Sequence, residues 1–486
     1  MGTTSRRLLD PAALRAGRLL PVLAYGALVL IAAPVSARTP REVDRLTMAA
    51  AARPDDSLGR SVAIDGLRIA ASVPEFDLPS ASGAGGVAIF ERVAGEWVRT
   101  ALVTAFDAAV ADVLGECIDL DGELLIASAA NVGLLTPAPW TGAAYVFERT
   151  AGGWEQRAKL IPADPSEFME AGLASAIDAP TRTAIVAARL DDDAGPDTGS
   201  VSVYRESKGV WTLAQELHAP DARPGDAFGY RVAIDGDVLA VSTPATDDVA
   251  ESTGSVYVFE RVAGAFEFRT KLMASDADYR DRFGFAVDVE GDTIAVGAVG
   301  DDNLEGGADH GAAYVFKRIG DEWTEVAKLV ASDRASLDGL GSSVAIEGDR
   351  VLVGASSAAV GDIRTGATYL FESVDGAWLE VAKFTASTAG AGDGVGASVA
   401  LGGSLAVLGA QGHDFPVPNA GAVYVADVSP TCAADLDRDG TIGATDLAAL
   451  LLAWGPGDAS PADLDGDGFV GASDLAALLL AWGSCG

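Results

Sequence analysis

Histidine, cysteine and basic side chains are scarce in this chain. Three His occur in 486 residues, His218, His310 and His413. So small a supply excludes a multi-His metal centre or a His-based mechanism repeated along the chain. Three Cys, Cys117, Cys432 and Cys485, exclude a disulfide-dense scaffold and leave room for one bridge. Lys and Arg number 34 against 70 Asp and Glu, a formal charge of −36. Nucleic acid would be repelled by that charge, whereas cations would be drawn in. No GxSxG, HExxH, P-loop or Cys-His signature is present, and no catalytic residue is assigned. Paired carboxylates for glycoside hydrolysis stay open among so many acids, because sequence gives no distances between them.

What is present is apolar and glycine-rich. Hydrophobic residues make up 49%, with 57 Gly and 21 Pro, which fits many short strands joined by turns and enough apolar surface for a large core. The first residues stand apart. Arg6, Arg7, Arg15 and Arg18 precede the uncharged run Leu19–Ala37, which ends in Val35-Ser36-Ala37. That order reads as a secretory signal over residues 1–37 with a small-residue cleavage site; an uncleaved anchor is the other reading of the same run. Removing four bases and the single acid Asp10 takes the charge from −36 to −39. No later stretch is long enough to span a membrane, so the mature chain is expected to be extracellular or attached to a cell surface.

One phrase recurs seven times: LGRSVAIDG at Leu58, LGECIDLDG at Leu114, AGLASAIDA at Ala171, FGYRVAIDG at Phe228, FGFAVDVEG at Phe283, LGSSVAIEG at Leu340 and VGASVALGG at Val395. The spacings are 56, 57, 57, 55, 57 and 55 residues, and Gly is always second. Each unit reads as four short strands, for example RVAIDG, VLAVSTP, GSVYVFERV and FEFRTKLMA in the fourth. Four-stranded units at this pitch predict a seven-bladed β-propeller over residues 38–430, an all-β fold. Trp97, Trp154, Trp211, Phe266, Trp323 and Trp378 open the last strand of six units and are expected to pack between neighbouring sheets. The seventh unit lacks its fourth strand. REVDRLTMAAAARPDDSLG at Arg41 parallels TEVAKLVASDRASLDGLG at Thr324, so the N-terminal strand should complete the last blade and remove an exposed sheet edge.

Phe228-Gly229 and Phe283-Gly284, with Val296-Gly297-Ala298 and Val353-Gly354-Ala355 downstream, resemble FG-GAP repeats, the units of the integrin α-subunit propeller and its bacterial relatives. In the integrin-like form several blades carry an Asp/Asn-rich Ca²⁺ loop. The strict DxDxDG loop is absent from every blade here, which counts against Ca²⁺ in the propeller. Acidic loops do lie between the second and third strands: Asp191, Asp192, Asp193 and Asp197 in blade three, Asp247 and Asp248 in blade four, Asp301, Asp302 and Asp309 in blade five. They are read as a solvated rim in preference to a hard-cation site, the other reading of such loops, and His310 and His413 in such loops as surface residues.

The last residues, 431–486, change character. ADLDRDGTIGATDLAALLLAWG at Ala434 recurs as ADLDGDGFVGASDLAALLLAWG at Ala462. Each copy fits a 12-residue Ca²⁺ loop. Asp435, Asp437, Asp439, the Thr441 carbonyl and Asp446 are the ligands expected in the first; Asp463, Asp465, Asp467, the Phe469 carbonyl and Asp474 in the second. Two Ca²⁺ ions are therefore expected in this small α-helical, EF-hand-type domain. Leu447, Leu450, Leu451 and Trp454, with Leu475, Leu478, Leu479 and Trp482, fall on one helical face in each copy and should bury against each other. Cys432 and Cys485 bracket the module, which suggests a disulfide, and Cys117 is left as a buried thiol.

A tandem of loop plus single helix resembles a type I dockerin. The resemblance implies a cohesin-like or other surface protein as partner, contacted through Ala444, Thr445, Ala472 and Ser473. Basic residues usual later in that helix are replaced by Leu and Ala, which points away from a standard cellulosomal cohesin. The resulting expectation is a secreted, non-catalytic binding or adhesion protein whose propeller presents loops to a glycan or protein. The alternative is a polysaccharide hydrolase or lyase tethered by the same module.

Overall fold

The computed structural model describes residues 41–48, 51–133, 141–162, 170–302, 309–429, 434–436, 441–456, 460, 462–464 and 469–484. The expected export segment, residues 1–37, lies outside the described residues, as do Cys432 and Cys485. No helix among the described residues is long and apolar enough to cross a membrane.

Seven four-stranded antiparallel sheets form the propeller, as the repeat implied. Blade four is typical: Val232–Asp235 innermost, then Val238–Thr243, Ser255–Val262 and Ala265–Leu272 outermost. The second strand of this blade is buried at every position, as are Leu124–Ala129 and Thr183–Ala188. Both faces of each sheet are covered by the neighbouring blades, so these strands read as continuous apolar runs rather than alternating ones. One core joins Val238, Ala240, Val256 and Val258 of blade four to Ile294, Val296, Tyr314 and Phe316 of blade five. The strand-opening aromatics sit at these seams: Trp323 packs on that core, and its Nε1–H donates to Glu260 Oε1 at 3.2 Å in the preceding blade.

The ring closes as the two parallel sequences imply. Arg41–Leu46 pairs antiparallel with Ala422–Asp427, Arg45 opposite Tyr424 and Leu46 opposite Val423, giving a last blade of three C-terminal strands and one N-terminal. Adjacent blades are also joined by parallel bridges, Gly254 to Phe283 and Gly311 to Leu340 among them. Glycine is required there. Both have positive φ, and a Cβ on either would lie 2.1 Å from the partner's carbonyl oxygen.

The seven innermost strands enclose a channel of about 890 Å³. At the end where each turns into its second strand, a carboxylate reaches the next blade in five of the seven. Asp121 accepts from Ala179 N–H at 2.7 Å, Asp178 from Gly236 N–H at 2.9 Å, Asp235 from Gly291 N–H at 2.6 Å and Glu347 from Gly403 N–H at 2.7 Å. Each bond satisfies a backbone donor of the following hairpin, so the acid that ends the AIDG phrase staples blade to blade.

The C-terminal repeats form two nine-residue helices, Ala444–Leu452 and Ala472–Leu480. Thr441–Ile442 pairs with Gly483–Ser484, and Gly455–Pro456 with Phe469–Val470, so each copy lends a short strand to the other. The shared core is Ala434, Ile442, Leu450, Ala462, Val470 and Leu478. The expected apolar face is corrected in part. Leu450 and Leu478 are buried and Leu447 and Leu475 half-buried, but Leu451, Leu452, Trp454, Leu479, Leu480 and Trp482 are exposed.

Candidate functional site

Each blade begins and ends its strands so that the loop between the second and third strands meets the fourth strand and the incoming connector on one face of the ring. In four blades this meeting point is built around a lysine. In blade five, Lys328 Nζ lies 2.7 Å from Asp276 Oδ2 and 2.6 Å from Asp301 Oδ2. Tyr314 OH donates into the same pair at 2.8 and 2.7 Å. In blade four, Lys271 Nζ contacts Asp221 Oδ2 at 3.0 Å and Asp248 Oδ1 at 2.8 Å, over the ring of Tyr257. Lys383 with Asp333 and Tyr369 repeats the arrangement, and Lys159 meets Asp107 over Tyr145. Burial opposes the charges of Asp221, Asp276 and Asp333, but the lysine and tyrosine hydrogen bonds outweigh it and hold all three carboxyls below their ordinary range.

Blade three departs from this pattern at both positions. Its fourth strand, Val210–Leu217, carries Glu216 where the others carry lysine, and its third, Ser200–Ser207, carries Ser202 where they carry tyrosine. The ligand oxygens of Asp191, Asp193 and Glu216 lie within 4.8 Å of one another. Asp191 is 1% exposed. It is held by the Ser200 hydroxyl, which donates to its Oδ2, and by the Asp193 N–H, which donates to Oδ1 at 2.8 Å. Three convergent carboxylates suit a hard divalent cation with oxygen ligands.

This finding corrects the expectation about metal. Two Ca²⁺ ions were expected in the C-terminal repeats, with sites in the propeller held doubtful, yet the described residues place the candidate cluster in blade three. In the C-terminal repeats the described loop-closing acids engage the backbone. Asp446 accepts from Leu436 N–H at 2.6 Å and Gly443 N–H at 2.7 Å; Asp474 accepts from Leu464 and Gly471 N–H, both at 2.7 Å. Both are fully buried at the first turn of their helices, where a carboxylate satisfies N-terminal donors. Asp435 and Asp463 are half-buried, Thr441 and Phe469 exposed, and Asp437, Asp439, Asp465 and Asp467 lie outside the described residues. Ala444, Thr445, Ala472 and Ser473 are exposed at the helix starts.

Two further expectations change. The acidic loops are not simply a solvated rim, since Asp301 is as deeply buried as Asp191. His413 is not a surface residue either. It is 4% exposed, and its Nδ1 lies 2.7 Å from Asp393 Oδ2, with Tyr424 edge-on at 6.0 Å. Cys117 is a free thiol beside the innermost strand of blade two, its Sγ 3.5 Å from the Ser175 carbonyl, and burial pushes its pKa up.

The family model for the FG-GAP repeat matches residues 154–204, 211–259, 266–316, 323–371 and 378–426. Every stretch starts on the aromatic that opens a fourth strand and ends in the third strand of the next blade. The C-terminal repeats lie beyond the last of them. No curated protein matches the chain. Together the matched stretches cover more than half of the 486 residues, and the chain belongs to the FG-GAP repeat family.

Proposed function

We propose that this is an exported, non-catalytic binding protein. It recognises its ligand with the face of the propeller that carries the loops between second and third strands, and a divalent cation in blade three sets the shape of that face. One observation supports the reading above all others. Where blades four and five place an ammonium between loop and connector carboxylates, blade three places a third carboxylate, Glu216. A metal ion at Asp191, Asp193 and Glu216 would supply there the positive charge that Lys271 and Lys328 supply in their blades. It would hold the 191–199 loop in one conformation.

The C-terminal repeats serve in this reading as a docking module of dockerin type for a cohesin-like or other surface protein. Their duplicated exposed triads, Leu451, Leu452 and Trp454 with Leu479, Leu480 and Trp482, support it, because an apolar patch of this kind marks a protein contact. The test is retention of the full chain on a panel of insoluble polysaccharides in Ca²⁺ and in EDTA, with released reducing sugar measured in parallel. Cation-dependent retention without sugar release is expected. Sugar release would favour the hydrolase or lyase alternative, and retention indifferent to EDTA would remove the cation from the recognition face.

A further inference from the structure

The mouth of the central channel, on the same face as the blade-three loop, carries an arrangement that the repeat does not dictate. The residue after the recurrent Gly lines this mouth in most blades, and it differs in each: Arg60, Glu116, Leu173, Tyr230, Ser342 and Ala397. In blade four it is Tyr230, flanked by Phe285 of blade five with ring centroids 5.5 Å apart and planes inclined at 47°. Two guanidinium groups cover Tyr230, that of Arg231 at 4.8 Å and that of Arg189 at 5.8 Å from its ring centroid. Arg189 is two residues before Asp191, so the candidate cation loop runs directly into the mouth.

The charges around this aromatic pair are unequal. Arg189 is neutralised by Glu170, with both bonds to Oε2 at 2.9 and 2.7 Å, and Arg60 by Glu116. Arg231 has no ion-pair partner among the described residues; its Nη1–H donates to the Tyr230 carbonyl at 2.9 Å. A guanidinium presents a planar fork of five donors, and one backbone carbonyl uses a single donor of it. The space in front is sufficient, since about 890 Å³ falls within the range of small-ligand cavities. The carboxylates that staple the blades stand at the opposite end of the innermost strands, four or more residues away. That is roughly 13 Å or more at strand rise; Asp119 and Asp288 stand nearer in the channel wall, where burial pushes their carboxyls up to about 6 and about 7, towards the neutral form.

We propose that the channel mouth binds an acidic sugar residue, its carboxylate on the guanidinium of Arg231 and its apolar face against the Tyr230–Phe285 pair. An aromatic ring accepts the apolar face of a pyranose, and a guanidinium pairs a carboxylate through two parallel hydrogen bonds. The neutral pairs Arg60–Glu116 and Arg189–Glu170 offer both donors and acceptors to the ring hydroxyls. The inference rests on the recognition face proposed above and gives that face a substrate class.

Calorimetric titration of the full chain with trigalacturonic acid and with its neutral counterpart, galactotriose, tests it. The acidic trisaccharide should bind at least about tenfold more tightly than the neutral one. Arg231→Gln should weaken acid binding by about ten- to a hundredfold and leave the neutral affinity in place. Arg231→Lys, which keeps the charge and loses the fork, should fall between them, and Tyr230→Ala should weaken both sugars. The inference is overturned if neither sugar binds, if both bind alike, or if Arg231→Gln binds the acid as the wild type does while melting at the same temperature. Should trigalacturonic acid fail while cation-dependent retention on polysaccharide persists, this inference falls and the broader reading stands.

Discussion

Closure of the ring by the N-terminal strand can be tested one side chain at a time. Leu46 is 4% exposed in the outer strand of the last blade, opposite Val423 and packed on the core that joins blades seven and one. Leu46→Ala removes three buried carbons and leaves a cavity at that seam, a change that costs about 2–5 kcal/mol. Against a total of about 5–15 kcal/mol for a folded domain, such a loss is easily resolved by urea unfolding. The same strand supplies its own control. Val43 falls at the irregularity between Glu42 and Asp44, where the register with Ala422–Asp427 shifts, and it is 38% exposed. Val43→Ala should stay within about 0.5 kcal/mol of the wild type. Removing residues 41–46 altogether should cost more than Leu46→Ala, because it also bares the backbone edge of Ala422–Asp427. If Leu46→Ala and Val43→Ala unfold at the same urea concentration as the wild type, the strand is not part of the last blade.

Three further outcomes follow, two from polar groups and one from the exposed leucines. Lys328→Met strips the ammonium from Asp276 and from the buried Asp301, and should destabilise the chain by about 2–4 kcal/mol in chemical denaturation, with no such effect from removal of an exposed lysine such as Lys208. Burial pushes the channel carboxyls of Asp119 and Asp288 up, to about 6 and about 7, against backbone hydrogen bonds from Ile177 and Ile346 that pull the other way. The unfolded chain ionises them near 3.8, so the native state holds extra protons between these values. Their contribution is fullest below about pH 4 and is lost as pH rises through 7. Asp288→Asn should therefore gain on the order of 2–4 kcal/mol relative to the wild type between pH 5 and pH 8, and parallel stability curves would refute it. Leu452→Asp together with Leu480→Asp should abolish capture of a surface partner through the C-terminal repeats without altering the melting of the propeller; unchanged capture would exclude the exposed triads from docking.

The propeller was legible because its signals repeat. A Gly at constant pitch, four strands per unit and one misplaced fourth strand specify both the blade count and the closure. The candidate site was less legible because it is an exception within that repeat. Aligning the starts of the fourth strands shows the aromatics, but the departure lies at their ends, where Lys159, Glu216, Lys271, Lys328 and Lys383 correspond. Only that second alignment reveals a carboxylate in a column of ammonium groups. His413 was misread because its partner, Asp393, belongs to a different turn twenty residues earlier, and nothing in the local sequence announces the pairing. The C-terminal helices gave an ambiguous face for a simpler reason. Leu447, Leu450, Leu451 and Leu452 are all apolar, a nine-residue helix buries only one stripe, and the spacing does not say which.

Cation binding at Asp191, Asp193 and Glu216 is tested most directly by calorimetric titration of Ca²⁺ into the chelator-treated full chain, wild type beside Glu216→Lys. The lysine would restore the ammonium that four sister blades carry next to their loop or connector acids, so the variant should fold as well as the wild type or better and take up one fewer ion per chain. Equal uptake by both proteins, or no uptake by the wild type, would exclude a cation from blade three.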